Sequence, residues 1–203
     1  MTSIRKYYFT SDLHLSHRNI IKYVNRPFAH ADEMNEEIIQ RWNKTVTNND
    51  IIFCLGDVAF EKDRNKLEWM LGRLNGEKHL IWGNHDKLLK TIKWSKYFQT
   101  ATDMRIVNIP PESNEGKGQR IVLCHYAFRV WDQSHHGTWN LYGHSHGTLP
   151  DDNKMLSCDV GVDCWDFAPV SMEQLNKFMS KKNWRAIDGH GSKYDDTGED
   201  PII

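Results

Sequence analysis

The sequence predicts an α/β fold, and two observations lead to that expectation. Short apolar runs of strand length alternate with helical patterns through the first half of the chain. The middle, roughly residues 100–146, is rich in strand-like runs, and one more helical pattern begins near residue 171. A chain of 203 residues can bury an ordinary core in one domain. We expect residues 1–188 to form this domain and residues 189–203, which are polar and acidic, to form a tail.

The predicted strands are short runs rich in apolar and β-branched residues, with turn-forming residues between them. In chain order they cover residues 7–10, 51–55, 79–82, 104–109, 120–124 and 139–142. The segment 110–118 contains two prolines and two glycines, which indicates a loop between the fourth and fifth of these strands.

Three helices are predicted from apolar spacing and capping residues. Met34, Ile38 and Trp42 recur every four residues, which places them on one helical face. A second apolar stripe ends before the helix-stop signal Asn75-Gly76 and consists of Leu67, Met70, Leu71 and Leu74. The segment from Ser171 to Gln174 has the pattern of a capping box and predicts the start of a third helix.

Composition and charge argue against several classes of protein. The net charge of -1 provides no global attraction for nucleic acid or for an anionic membrane. No apolar run approaches the roughly 20 residues that cross a bilayer, and the first residues lack the apolar segment of a signal peptide, so a cytoplasmic location is expected. The four cysteines form no C-x-x-C pair, which argues against a cysteine zinc site. Cys54 and Cys124 lie in strand-like runs and are expected to be buried, reduced thiols.

Side chains that can bind metal follow five of the predicted strands directly. These side chains are, in chain order, Asp12 and His14, then Asp57, then Asn84 with His85 and Asp86, then His125, then His144 and His146. In open α/β sheets, sites form beyond the carboxyl ends of strands. The two-residue spacing of Asp12 and His14, and of His144 and His146, would place each pair on one face of an extended strand. A glycine precedes three of the ligands, which lets the backbone approach the site closely.

The chemistry of the set indicates the kind of metal. It contains carboxylates, imidazoles and one amide but no thiolate, which favours Mn²⁺, Fe, Zn²⁺ or Ni²⁺ over a soft metal. Without His85 and Asp86 the set contains seven candidate ligands, which are too many for one catalytic ion, so two ions that share a bridging carboxylate are expected. Each short motif alone could be an ordinary turn, but their combination in this order is specific.

These five blocks resemble the signature blocks of the calcineurin-like metallophosphoesterase family, from about residue 7 to residue 147. The resemblance implies two stacked mixed β-sheets flanked by helices, the four-layer metallophosphoesterase sandwich. It also implies that Asp57 bridges two divalent metal ions, of which manganese is the most expected. The first ion would be held by Asp12, His14, Asp57 and His146, and the second by Asp57, Asn84, His125 and His144.

The same resemblance implies hydrolysis of a phosphomonoester or phosphodiester by a water or hydroxide between the ions. His85 would assist the leaving group, and Asp86 would orient its imidazole. The stretches 10–17, 123–126 and 159–163 are similar to those of small bacterial or phage-type members, and 159–163 would be either a polar turn beside the metals or a plain strand end.

Three further residues are predicted to contact substrate. His17 and Asn19 follow the first ligand pair closely, and Arg129 lies between two ligand-bearing strands with Tyr126 and Phe128 nearby. Aromatic rings and an arginine suit a nucleobase or a phosphate, which favours a small or nucleotide-like substrate. The alternative is that these aromatic rings fill the core or a sheet edge.

Other functions remain open at this point. A nuclease on polymeric nucleic acid would need a basic track, whereas the 26 basic residues are scattered among 27 acidic ones. A protein phosphatase is disfavoured because Gly56-Asp57 is followed by Val58-Ala59-Phe60 rather than by polar residues and an arginine. An interaction scaffold with a damaged metal site is disfavoured because every expected ligand is present. The oligomeric state and the physiological substrate are left open.

Overall fold

A computed structural model describes residues 5–111 and 117–187 and shows two mixed β-sheets with flanking helices. The predicted fold class is therefore confirmed. The predicted tail, residues 189–203, lies outside the described residues. The first sheet has the order β4-β3-β2-β1-β9 and the second the order β5-β6-β7-β8. The strands are β1 Tyr7–Thr10, β2 Ile51–Cys54, β3 Glu77–Ile81, β4 Thr100–Thr102, β5 Met104–Ile109, β6 Gln119–Cys124, β7 Trp139–Tyr142, β8 Ser157–Asp159 and β9 Val170–Ser171.

The six strands predicted from sequence are all present, with ends that move by at most two residues. The three strands that were not predicted, β4, β8 and β9, are only two or three residues long. A run that short has too few residues to show an alternating pattern, so its pairing is decided by neighbouring strands rather than by its own sequence.

Four α-helices are present in the described residues: α1 Ile20–Tyr23, α2 Ala31–Thr45, α3 Arg64–Gly72 and α4 Met172–Met179. The capping box of α4 is confirmed, because the Ser171 hydroxyl accepts from the Gln174 N–H and the Gln174 side chain accepts from the Ser171 N–H. The start of α2 is capped by His30, whose Nδ1 accepts from the Glu33 N–H at 3.1 Å. No helix in the described part of the chain has both the length and the apolar character needed to cross a membrane.

The first sheet has a core on each face. Successive residues of a strand point to opposite faces of the sheet. Tyr8 and Ile52 therefore pack with α2 and α3, whereas Phe9 and Phe53 pack against the second sheet. The second core also contains the apolar face of α4. Cys54 and Cys124 are buried free thiols, as expected.

The strand order brings the ends of the ligand-bearing strands together. β1, β2 and β3 are adjacent and parallel, so their carboxyl ends meet at one edge of the first sheet. β6 and β7 are adjacent and parallel in the second sheet. The turns that follow these five strands carry the predicted metal ligands.

Candidate metal centre

The seven predicted ligands lie together in two groups. Ligand atoms of Asp12, His14 and His146 all lie within 4.8 Å of one another, and those of Asp57, His125 and His144 do the same. Asn84 joins the second group, since its Oδ1 lies 3.0 Å from Nε2 of His125 and 3.1 Å from Nδ1 of His144. These are the two sets that the family resemblance implies, apart from the bridging position of Asp57.

Asp57 lies between the two groups. Its Oδ2 is 3.5 Å from Nε2 of His14 in the first group and 3.5 Å from Nε2 of His125 in the second. Its Oδ1 accepts a hydrogen bond from the His85 N–H at 2.8 Å. Burial opposes ionisation of this carboxyl, but the hydrogen bonds from His125 and the His85 N–H outweigh it and lower the pKa of Asp57 to about 2. The carboxylate is therefore ionised at neutral pH and is placed to be shared by two cations.

The backbone at the ligands differs from the expected extended conformation. Asp12, His14, Asp57, His144 and His146 all have positive φ angles, between 48° and 67°. The strands end at Thr10, Cys54 and Tyr142, before these residues. The prediction that each pair leaves one face of an extended strand is therefore wrong, because left-handed turns direct the side chains inward. This conformation is uncommon for residues other than glycine and costs on the order of 1 kcal/mol or more at each position.

Two glycines allow the turns to pack against each other. A Cβ atom at Gly143 would overlap Oγ of Ser11 and the carboxylate of Asp12, and a Cβ atom at Gly83 would overlap the carboxylate of Asp57. No L side chain fits at either position without displacing a metal ligand. The expected close backbone approach is confirmed at both.

Unpartnered buried atoms indicate that the groups fit divalent cations. Oδ1 of Asp12 and Nε2 of His14 are buried without a hydrogen-bond partner and lie 4.0 Å apart. In the second group, Nδ1 of His125 lies 2.7 Å from the Leu55 carbonyl oxygen, so Nδ1 carries the proton and donates it. When the ring is neutral, its Nε2 lone pair faces Oδ1 of Asn84, which is also an acceptor, and when Nε2 carries a proton it can donate to Asp57. Two facing lone pairs require a cation or a proton between them, and the nitrogen and oxygen donors suit a divalent metal ion.

The pKa values describe the protein without metal. Burial raises the pKa of Asp12 to about 7 and lowers the pKa of His14 to about 2. Burial also lowers the pKa of His144. Burial alone would lower the pKa values of His125 and His146, but hydrogen bonds to Asp57 and Asp163 respectively raise them overall. His14 and His144 therefore present the neutral imidazole that metal binding requires.

A buried arginine supports the first group, and sequence reasoning missed it. Arg26 donates to the backbone carbonyls of Asp12 at 2.7 Å and Leu13 at 2.9 Å, and it forms a two-bond ion pair with Asp163 at 2.7 and 2.8 Å. Asp163 also lies 2.7 Å from Nδ1 of His146. The sequence predicts either a polar turn beside the metals or a plain strand end for the segment 159–163, and the structure shows both, since β8 ends at Asp159 and Asp163 lies in the following turn against His146. Arg26 carried no local signal, because its partner is 137 positions away.

His85 and Asp86 have different positions relative to the site. The His85 ring is half-buried, and its centroid lies 5.5 Å from that of His14. The Asp86 carboxylate accepts from the backbone N–H groups of Asp57, Val58 and Gly83 at 2.8 to 3.0 Å. A hydrogen bond from the His85 imidazole to the Asp86 carboxylate, as expected from sequence, is not among those of the described residues. Asp86 instead fixes the turn that carries Asp57.

The predicted substrate residues separate into two places. His17 adjoins the metal ligands, with its Nδ1 3.2 Å from Nδ1 of His14, and it lines a cleft together with Asn19. Arg129 is exposed and lines a different cleft with Trp131 and Trp184, which contains none of the metal ligands. The structure therefore places His17 beside a metal ligand, Asn19 in the cleft that His17 lines and Arg129 in a different cleft, and the substrate roles of all three stay predictions.

Comparison with known proteins supports the fold. Residues 5–195 match the family model described as calcineurin-like phosphoesterase. The chain is 33% identical over 185 residues to an uncharacterized protein of Methanocaldococcus jannaschii, which covers 88% of this chain and 94% of that protein. It is 27% identical over 190 residues to the gene 66 protein of Mycobacterium phage D29, with 80% and 91% covered. A solved protein of unknown function from Aquifex aeolicus has a TM-score of 0.66 at 24% identity, with 86% and 100% covered, and shows the same fold.

Proposed function

Because the chain belongs to the calcineurin-like phosphoesterase family, we propose that it hydrolyses small phosphate esters with two divalent metal ions. The observation that carries the proposal is the pair of ligand groups on either side of Asp57. A single-ion site would not need a second complete group, and a chance cluster of acids would not include buried atoms without partners.

The residues fit the two ions as follows. One ion would be held by Asp12, His14, His146 and the shared Asp57, and the other by Asp57, Asn84, His125 and His144. Manganese is our first choice, with iron, zinc or nickel as alternatives for a mixed oxygen and nitrogen donor set. When bound, the two ions supply the Lewis acidity that activates water and neutralises phosphoryl charge.

The protein itself supplies positioning and a proton donor. His85 is held beside the centre by the hydrogen bond from its N–H to Asp57. Its imidazole is half-buried and faces the His14 ring, so it can reach an ester bound at the metals. We assign it the donation of a hydrogen bond or a proton to the leaving oxygen. Asp86 holds the Asp57 turn rather than the imidazole.

A small, nucleotide-like mono- or diester is the favoured substrate. In its support, the cleft beside His17 has a volume of about 400 Å³, which suits a small ligand. A nuclease acting on polymers is the second candidate. The observation in its favour is a set of exposed lysines that follows His85 closely, namely Lys87, Lys90, Lys93 and Lys96. A polymer that binds to such a basic edge would show a steep loss of activity with salt.

A substrate panel tests the proposal. Metal-depleted protein should be inactive on p-nitrophenyl phosphate and bis-p-nitrophenyl phosphate and should gain activity with Mn²⁺. Asp57→Ala should abolish that activity, since both ions lose a ligand. Asp132→Ala is the matched control, because Asp132 pairs with Arg120 on the surface and is 42% exposed. Full turnover by metal-replete Asp57→Ala protein would contradict the proposal.

A further inference from the structure

We propose that the cleft beside the metal centre binds the nucleoside part of a nucleotide substrate, with the base stacked on Phe60 and with Arg18 and Lys62 binding phosphate groups other than the one cleaved at the metals. The inference rests on the proposed function and names the substrate class of the same site. The cleft has a volume of about 400 Å³, and its lining includes Ser16, His17, Arg18, Asn19, Phe60 and Lys62.

The cleft opens next to the place where the ester is cleaved. His17 lines it and lies 3.2 Å, Nδ1 to Nδ1, from the metal ligand His14. The Phe60 ring centroid lies 5.4 Å from that of His85. His17, His85 and Phe60 thus form a continuous set of rings from the metal ligand His14 to the cleft, so a group attached to a phosphate at the metals can extend along them.

Phe60 is an exposed ring in a fixed orientation. Its side chain is 41% exposed. It follows a buried segment that ends at Ala59 and precedes a polar segment that begins at Glu61. The His17 ring stacks on one face of the Phe60 ring at a centroid distance of 4.3 Å, with 23° between the rings. The backbone N–H of Phe60 donates to the Leu15 carbonyl at 2.8 Å. A base stacks well on such a ring because little conformational freedom is lost on binding.

Charges in the cleft favour an anionic ligand. Its two acidic residues, Asp32 and Glu61, are both paired with Lys66, at 3.1 and 3.4 Å. Arg18 and Lys62 are exposed and form no ion pair within residues 5–111 and 117–187. Two cations are thus left for phosphate oxygens.

The combination selects one ligand chemistry. A sugar phosphate would use the cations but not the aromatic face, and an apolar ester would use the face but not the cations. A nucleoside phosphate uses both, as base stacking combined with backbone charge contacts does in other nucleotide-binding surfaces.

A ratio of rates tests the assignment. Thymidine 5′-(p-nitrophenyl phosphate) and methyl p-nitrophenyl phosphate share a leaving group and differ in the nucleoside. With Mn²⁺, we expect the ratio of their kcat/KM values to fall about tenfold or more in Phe60→Ala and Phe60→Leu and to persist in Phe60→Tyr, which keeps a flat ring. Phe60→Leu preserves apolar contact with His17, so a fall there reports the lost face rather than misfolding.

Controls separate the cleft from the rest of the surface. Trp69→Ala removes another exposed ring, which is 57% exposed and packs on Arg73, and it should keep the wild-type ratio. Arg18→Gln and Lys62→Gln should each weaken the binding of thymidine 5′-triphosphate severalfold in calorimetry without turnover, and together more so, while the binding of thymidine 5′-monophosphate changes less. Binding of thymidine 5′-monophosphate, measured by calorimetry without turnover, should weaken about tenfold in Phe60→Leu.

The outcomes are distinct for the two proposals. An unchanged ratio in Phe60→Leu, or no binding of thymidine monophosphate to the wild-type protein, overturns the nucleoside site. Hydrolysis of the methyl ester would still support the proposed function in that case. Failure of the Mn²⁺-loaded protein to hydrolyse p-nitrophenyl phosphate as well as both of these diesters overturns the proposed function itself, and failure on the two diesters alone overturns the nucleoside site as a diester site. A further experiment with oligothymidylate as substrate distinguishes nucleic acid from free nucleotide as the source of the nucleoside. An activity that depends on Phe60 and falls steeply with salt concentration indicates nucleic acid, whereas a shallow dependence on salt indicates free nucleotide.

Discussion

Asp163→Asn is the change that tests the support of the metal centre most directly. The carboxylate lies 2.7 and 2.8 Å from Nε and Nη2 of Arg26 and 2.7 Å from Nδ1 of His146. The side chains of Asp163 and Arg26 are 8% and 0% exposed. The amide keeps the shape of the side chain but removes its charge, so Arg26 is left as a buried cation without a counter-ion, with the amide oxygen and the carbonyls of Asp12 and Leu13 as neutral acceptors.

The expected loss of stability follows from that burial. Breaking a buried ion pair by removing one charge costs about 3–5 kcal/mol, and we expect the lower end because the amide retains some hydrogen bonding. For a chain of this length, a loss of about 3 kcal/mol lowers the Tm by about 6–12 °C. Metal affinity should fall about 10- to 100-fold in the group that contains His146, because an outer partner that orients a ligand is lost.

Two measurements check this prediction. Thermal unfolding of the metal-free protein gives the Tm, and calorimetric titration with Mn²⁺ resolves the two groups. Asp166→Asn is the matched control, since Asp166 pairs with Arg41 at 2.7 Å but its side chain is 91% exposed, and such pairs contribute about 0–1 kcal/mol. A Tm within 1 °C of wild type, as for the control, would refute the reasoning on stability. An equal loss of Mn²⁺ affinity in both ligand groups would refute the expectation that Asp163 acts on the group that contains His146.

Four further predictions concern the metal centre and the residues around it. Gly143→Ala should weaken metal binding at the first group in a calorimetric titration, because its Cβ would overlap the Asp12 carboxylate. His85→Asn should lower kcat about 100-fold while the bound metal, measured by elemental analysis, stays constant. Metal affinity should rise with pH through about 7, since burial raises the pKa of Asp12 to about 7, hydrogen bonds raise the pKa values of His125 and His146, and the ions must displace these protons; titration in two buffers of different ionisation enthalpy would detect the released protons. Chelation should lower the Tm, and Mn²⁺ should restore it.

The sequence was sufficient to predict which residues meet, but it did not predict their backbone. Asp12, Asp57 and His144 were recognised because each follows a strand, and strand ends meet at one edge of a sheet. Their left-handed φ angles were not recognised, because no local pattern distinguishes an aspartate or histidine in that conformation from one in an extended strand. The conformation is imposed by packing between turns that are distant in the chain.

Long-range partners account for the remaining differences. Asp86 was assigned to its neighbour His85, but its carboxylate binds backbone groups of the turn at residues 57 and 58. Arg26 was overlooked because its partner Asp163 is 137 positions away. A motif identifies the residues that carry chemistry, whereas the residues that hold them in place are determined by the folded chain.

The two ligand groups each draw on both sheets. The first combines residues that follow β1 with His146, which follows β7, and the second combines Asp57, which follows β2, with His125 and His144. A bound ion would therefore act as a cross-link between the layers, joining chain segments about a hundred residues apart in the way that a disulfide closes a long loop. Pulling on the two halves of the chain should then require more force in the metal-loaded protein, because the layers cannot separate until both ions have lost ligands.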